Sequence, residues 1–317
     1  MPSLLILGAG AIGAFFGSAL ARQGMRVSAV CRSDYAAVKQ SGFDIRSPLL
    51  GDHCFEPHEV FRAAEQAGRE YDLVLLSTKV LEGVDRAELL KPVIGANTVI
   101  VLIQNGLDIE REVHTAFPRN ELLSGVAFIA VSRAGAGRIH HQSAGSLTLG
   151  RYPEGLTPMA KDLAARFEAS NVPCKLTQDI VQARWQKALW NATFNPISIM
   201  GSGLDTASIL RTPEQRTWVR LAMTEIAQVA QAAGHPIAAD MIDKLIEATL
   251  GMPAYKSSMA LDFENGRPME IEAIIGNVVR CAHHYQVPIP TLDSIYLVAK
   301  MIENKHRSER DTRSDAG

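Results

Sequence analysis

The pattern Gly8-Ala9-Gly10-Ala11-Ile12-Gly13, placed directly after the apolar run Ser3–Leu7, constrains this chain more than any other feature. A short buried strand that ends in glycines and turns at once into a helix is the opening of a dinucleotide-binding βαβ unit. The first glycine permits the tight turn, and the second lets the backbone approach a pyrophosphate. The third lets helix and strand pack closely, with the phosphates facing the positive end of the helix. Gly8, Ala9, Gly10, Ala11, Ile12 and Gly13 are therefore expected to hold a dinucleotide. The plain alternative is a glycine-rich turn with no ligand.

The next apolar strand, 25–31, bears on which dinucleotide. An NAD-binding chain carries Asp or Glu near the end of this strand for the ribose 2′-hydroxyl. Here Val30 and Cys31 are followed by Arg32, whose guanidinium matches a 2′-phosphate bidentately. NADPH is favoured over NADH. Asp34 stands against this choice, because it offers a carboxylate for the hydroxyl role, and the bland reading of Arg32 is a solvated loop cation. Further apolar strands are expected at 73–77, 98–103, 124–131 and 146–150, with helices at 11–23 and 156–170. Lys79 and Asn105 each follow one of these strands, at the edge where doubly wound sheets bind ligands. Both are candidate cofactor or substrate contacts.

From Asp179 onward the pattern changes to helices, at about 179–200, 213–233, 238–250, 253–264 and 269–286. The expected fold is an α/β Rossmann-type doubly wound sheet domain over 1–177, followed by an all-α helical domain over 178–302. The charged stretch 303–317 lacks apolar residues except Ala316 and is expected to be disordered. The formal net charge of −2 provides no field for nucleic acid or an acidic membrane, so the partner is expected to be a small molecule. Cys31, Cys54, Cys174 and Cys281 form no CxxC pair, which fits a reducing cytoplasm better than a disulfide framework. His53, Cys54 and His58 have no matching ligands elsewhere, so no metal is expected.

In the helical half, Lys187, Asn191 and Asn195 are spaced i, i+4, i+8 and share one helix face before Pro196. Asn is a poor helix-interior residue, so two on one stripe suggest a face with a task. A solvated polar face is the alternative. Ser257-Ser258-Met259, Asn265-Gly266-Arg267 and Glu270-Ile271-Glu272 follow. With the glycine motif, Arg32, Lys79 and Asn105, these segments resemble the ketopantoate reductase (2-dehydropantoate 2-reductase) family in order and spacing over nearly the whole chain.

The resemblance implies a fold, a reaction and a site. The reaction is NADPH-dependent reduction of 2-dehydropantoate to (R)-pantoate, toward pantothenate and coenzyme A. Lys187 matches the family's proton donor. Asn191, Asn195 and Ser258 match substrate-binding positions, Asn105 matches a residue lying between cofactor and substrate, and Glu270 matches a cofactor-side glutamate. The chain departs from the family at Ile275, where an Asn is expected, and near Asp205, where an acid would meet an anionic substrate poorly. These departures keep open a reductase of another 2-oxo acid. A dinucleotide-binding regulatory protein without turnover is the rival of another class. A homodimer is compatible with the helical half.

Overall fold

The computed structural model describes residues 1–315, and side chains as far as residue 310. The chain divides into two compact units. The first comprises 1–79, 84–104 and 109–183, and the second 80–83, 105–108 and 184–317. The division falls at 183/184, inside a continuous helix, and two short loops of the N-terminal half group with the helical unit.

The first unit is built on one sheet. Its parallel core runs β5 (Val60–Phe61), β2 (Arg26–Val30), β1 (Ser3–Leu7), β6 (Leu73–Leu76), β7 (Val99–Leu102) and β8 (Leu122–Gly135). β1, β6 and β7 are buried along their whole length, as strands covered on both faces must be. Antiparallel to β8 lies β9 (Arg138–Arg151), and beyond it β3 (Phe43–Arg46) and β4 (His53–Phe55), while β10 (Cys174–Leu176) also pairs β9. β3, β4, β5 and β10 are absent from the sequence expectation. Each has two to four residues, too few to display a period. β8 and β9 run 14 residues each, well past the expected ends, and register shifts interrupt their pairing.

Helix α1 (Ala11–Ala21) follows β1. Its close packing depends on missing side chains. A Cβ at Gly13 would lie 2.5 Å from Ser77 Oγ and 2.7 Å from Ile6 Cγ2, and one at Gly17 would lie 2.2 Å from Ile6 Cδ1. Gly8 has φ +87°, a conformation that a side chain strains. The remaining helices of this unit are α2 (Tyr35–Ser41), α3 (Arg86–Leu90), α4 (Glu110–Ala116) and α5 (Pro158–Ala169).

Across the division runs α6 (Ile180–Met200), with Pro196 in its interior. The second unit continues with α7 (Thr206–Ile209), α8 (Pro213–Ala232), α9 (Met241–Gly251) and α10 (Ser258–Glu264). A π-helical turn, Glu272–Gly276, then leads into α11 (Asn277–His284) and α12 (Pro290–Asp315). The expected disordered tail is therefore corrected: helix continues through Asp315, while Ala316 and Gly317 lie outside the described residues. Polar pairing accounts for it. Arg310 bonds Glu303, which is buried, at 2.8 Å, His306 stacks on Phe263 with centroids 4.4 Å apart, and Arg307 pairs with Glu82 at 3.3 Å. Of these partners Phe263 and Glu82 are distant in sequence, and without them the charged stretch reads as disordered. The start of α12 is held by Glu225, whose carboxylate accepts from the backbone N–H of Thr291 (3.0 Å) and Leu292 (2.8 Å). No helix among the described residues is long and apolar enough to cross a membrane.

Gly13→Ala should destabilise the chain by about 1–3 kcal/mol through overpacking against Ile6 and Ser77. Denaturant unfolding should show a lower midpoint with an unchanged slope. A midpoint equal to that of the native chain would mean that the strand–helix contact is not under this constraint.

Candidate functional site

In the first unit, the glycine turn and the end of β2 form the feature expected to bind a dinucleotide. Gly8 and Gly13 are required by the turn and by packing, but Gly10 is not. A Cβ there would find only Gly8 O, 4.0 Å away. Gly10 is the N-cap of α1, and no side chain caps the helix there. Open space beside an uncapped helix N-terminus suits a phosphate, which the N–H groups and helix dipole attract. The residues present thus fit a dinucleotide, with Ala9, Ala11 and Ile12 completing the turn.

Arg32 follows β2 and is exposed, and among the described residues it makes no hydrogen bond or ion pair. Asp34 is not available as its rival. Its side chain is buried, paired with Arg133, and accepts from Ser33 Oγ (3.0 Å) and the Gly137 N–H (3.3 Å). The acid that had argued for a ribose hydroxyl is consumed inside its own unit.

Lys79 is half-buried just past β6. The turns around it and before Asn105 are tied together by Gln104, whose Nε2 donates to Thr78 O (2.6 Å) and Thr78 Oγ1 (3.2 Å). Buried Arg86 donates in turn to Gln104 Oε1 (3.2 Å) and to Glu112 (2.6 Å). Sequence reasoning missed this Arg86–Gln104–Thr78 chain, because no motif announces it.

The second unit holds the other feature. Lys187 Nζ donates to Asn105 Oδ1 at 2.6 Å. Three residues earlier on the same face of α6, buried Arg184 donates through Nη1 to Gly106 O at 3.0 Å. Lys187, Arg184, Asn191, Gly106, Leu107 and Ile274 line one recess. The loop carrying Asn105 is fixed further by Leu107, whose N–H donates to Ala273 O (2.9 Å) and whose carbonyl accepts from Asn277 Nδ2 (2.6 Å). Buried Glu270 accepts from the Val80 N–H at 2.9 Å. Burial pushes the Lys187 ammonium down to about 7. The Arg184 charge adds to that shift, and Glu270 opposes it. A lysine poised near neutrality exchanges its proton readily at physiological pH.

The structure thus brings Asn105, Lys187 and Asn191 together and adds Arg184, which the sequence reading missed although it lies on the same stripe. Asn195 and Ser258 are not in the lining of this recess. Asn195 is buried deeper along α6, and its Oδ1 has no hydrogen-bond partner among the described residues. An unpaired buried amide oxygen costs about 1–3 kcal/mol, so the position favours a donor from elsewhere. Ser258 is exposed at the start of α10. Its neighbour Ser257 caps that helix, accepting from Ala260 N (3.1 Å), and meets Ser198 Oγ at 2.9 Å; Ser198 in turn donates to Asn195 O at 2.6 Å. Asp205, expected as an acid facing substrate, instead caps α7 by accepting from Ser208 N at 2.7 Å. That bond holds its carboxyl below the usual range. Ile275 is fully buried in the π-helical turn, where it packs rather than binds.

Comparison with known proteins places both halves of the chain in one family. The family model "Ketopantoate reductase PanE/ApbA" matches residues 4–154, and its C-terminal counterpart matches 179–303. A 2-dehydropantoate 2-reductase from Nostoc sp. is 28% identical over 308 residues, covering 96% of each chain. The crystal structure of 2-dehydropantoate 2-reductase from Methylococcus capsulatus is 48% identical, with a TM-score of 0.90 over 96% of this chain and 97% of that one. A D-mandelate dehydrogenase in complex with NADH and anilino(oxo)acetate has a TM-score of 0.87 over 96% of this chain and 99% of that one. At 21% identity it shows a shared fold only. With both halves matched in order, the chain belongs to the ketopantoate reductase family of oxidoreductases.

Proposed function

We propose that this chain reduces 2-dehydropantoate to (R)-pantoate with NADPH, and that Lys187 supplies the proton. The observation that carries the reading is the Lys187–Asn105 pair in the recess beside Arg184. The name carried by the Methylococcus capsulatus relative supports the choice of substrate. Arg32, without an acidic partner among the described residues while Asp34 is spent on Arg133, supports NADPH over NADH.

The roles follow from the chemistry of the residues. Gly8 to Gly13, Arg32, Lys79 and Glu270 are the residues proposed to hold the dinucleotide, whose nicotinamide supplies a hydride when bound. Reduction of a ketone places negative charge on the former carbonyl oxygen. Lys187 stabilises that charge and gives up its proton to it. Asn105 Oδ1 holds the Lys187 ammonium in place, while its Nδ2, unbonded among the described residues, remains a donor. Asn191 offers an amide in the same recess. The buried Asn195 Oδ1 is suited to accept from a substrate hydroxyl. Ser258 is proposed as a further substrate contact.

The substrate is tested by offering a panel of 2-oxo acids with NADPH and NADH and following nicotinamide oxidation. Ketopantoate with NADPH should give the highest kcat/KM. If 2-oxoisovalerate serves equally well, the substrate assignment fails. Lys187→Ala should bind NADPH as the native chain does and lose turnover by a factor on the order of 10²–10⁴, the usual worth of a positioned general acid. Unchanged turnover would remove Lys187 from the reaction.

The lowered pKa sets the direction of a pH effect. The donor form of Lys187 exists below about 7, so kcat/KM for ketone reduction should fall as pH rises through that value. Oxidation of the alcohol, which needs the neutral amine, should rise over the same range. A reduction profile that stays flat up to the ordinary lysine range would contradict a desolvated Lys187.

A further inference from the structure

A second arginine stands beside Arg32 in the sheet. β2 and β5 pair in parallel with Val30 opposite Phe61, and the Cys31 N–H donates to Phe61 O at 2.9 Å. Arg62, which follows β5, therefore emerges at the same carboxyl edge as Arg32, which follows β2. The two are 30 positions apart in sequence but one strand apart in space. Arg62 is exposed, yet its guanidinium does not wander freely. Its Cζ lies 4.3 Å from the ring centroid of Tyr35, the first residue of α2. Its own backbone N–H is pinned by Gln66 Oε1 at 2.8 Å. Lys39 approaches the same ring, 5.3 Å from its centroid, and its Nζ bonds Tyr35 Oη at 2.9 Å.

Three cations, Arg32, Lys39 and Arg62, thus gather at one edge of the first unit. Among the described residues none of them has a carboxylate partner. Asp34 is paired with Arg133, and Glu59 with Arg69. Like charges held together without counter-charge repel, and the arrangement is relieved by a bound anion. A phosphomonoester dianion fits two guanidinium forks, and a π-stacked arginine is already oriented for it.

We propose that Arg62, positioned by Tyr35, is a second arginine of the 2′-phosphate subsite, and that it shares discrimination of NADPH from NADH with Arg32. This rests on the NADPH reading above.

The test is binding, not turnover. Dissociation constants for 2′,5′-ADP, NADPH and NADH are measured by calorimetry on the native chain, Arg62→Ala, Arg62→Lys and Arg32→Ala. Loss of one charge-assisted phosphate contact should weaken 2′,5′-ADP and NADPH roughly ten-fold or more in Arg62→Ala and leave NADH within about two-fold. Arg62→Lys should recover part of the loss, since it restores the charge without the fork. Weakening should be steepest at low salt, where the phosphate–arginine attraction is least screened. If Arg32→Ala loses the phosphate preference and Arg62→Ala keeps it, Arg62 is excluded while the NADPH reading stands. If Arg62→Ala weakens NADH as much as NADPH, Arg62 supports the adenosine or the fold and the proposal fails. A native chain that binds NADH as tightly as NADPH overturns both readings together.

Discussion

The second unit is organised around a cation drawn partly out of water. Placing the Lys187 ammonium in a recess costs desolvation energy, and only a good acceptor and nearby opposite charge make such a position tolerable. Asn105 Oδ1 is the acceptor, and Glu270 provides the opposing field. Each of these groups is itself held. The 105–108 loop is bonded by Arg184, Ala273 and Asn277, and Glu270 is engaged by the Val80 N–H. The loops 80–83 and 105–108 follow β6 and β7 in the chain yet group with the helices, because the helical unit supplies their polar partners. Glu82 in the first of these loops pairs with Lys300 and Arg307 of α12.

Arg184 makes the arrangement finer. It secures Gly106, and so the residue next to Asn105, while its charge works against the Lys187 proton. One side chain thereby fixes the acceptor of the ammonium and loosens the proton that the ammonium carries. A proton donor of the proposed kind needs both a defined position and a pKa near the working pH.

What was legible in the sequence was what local chemistry determines. β1, β2, β6 and β7 are dense apolar runs, and the glycine turn follows from the demands of Gly8 and Gly13 on backbone and packing. The Lys187–Asn191 stripe was visible because helical spacing alone puts it on one face. Features that depend on distant partners were not visible. The end of α12, from 303 onward, reads as a charged tail until Phe263 and Glu82 meet its turns. The short strands β3, β4, β5 and β10 exist because a neighbour offers hydrogen bonds, not because their own residues insist on strand.

The acids show the limit of reading by residue type most clearly. By residue type alone, Asp34 and Asp205 are both ligand-facing carboxylates, one against NADPH and one against an anionic substrate. Each turns out to serve its own backbone and neighbours: Asp34 pairs with Arg133 and accepts from Gly137, and Asp205 caps α7. Asp is strongly favoured at helix starts, so an acid just ahead of a short helix is first a cap candidate. Removing both from the ligand-facing inventory leaves the edge of β2 cationic. It also leaves the substrate-side candidates of the second unit, Asn191, Asn195 and Ser258, as neutral amides and a hydroxyl. The proposed ligands, a 2-oxo acid and a phosphorylated dinucleotide, are both anionic, and neither then has to approach an unpaired carboxylate from these two positions.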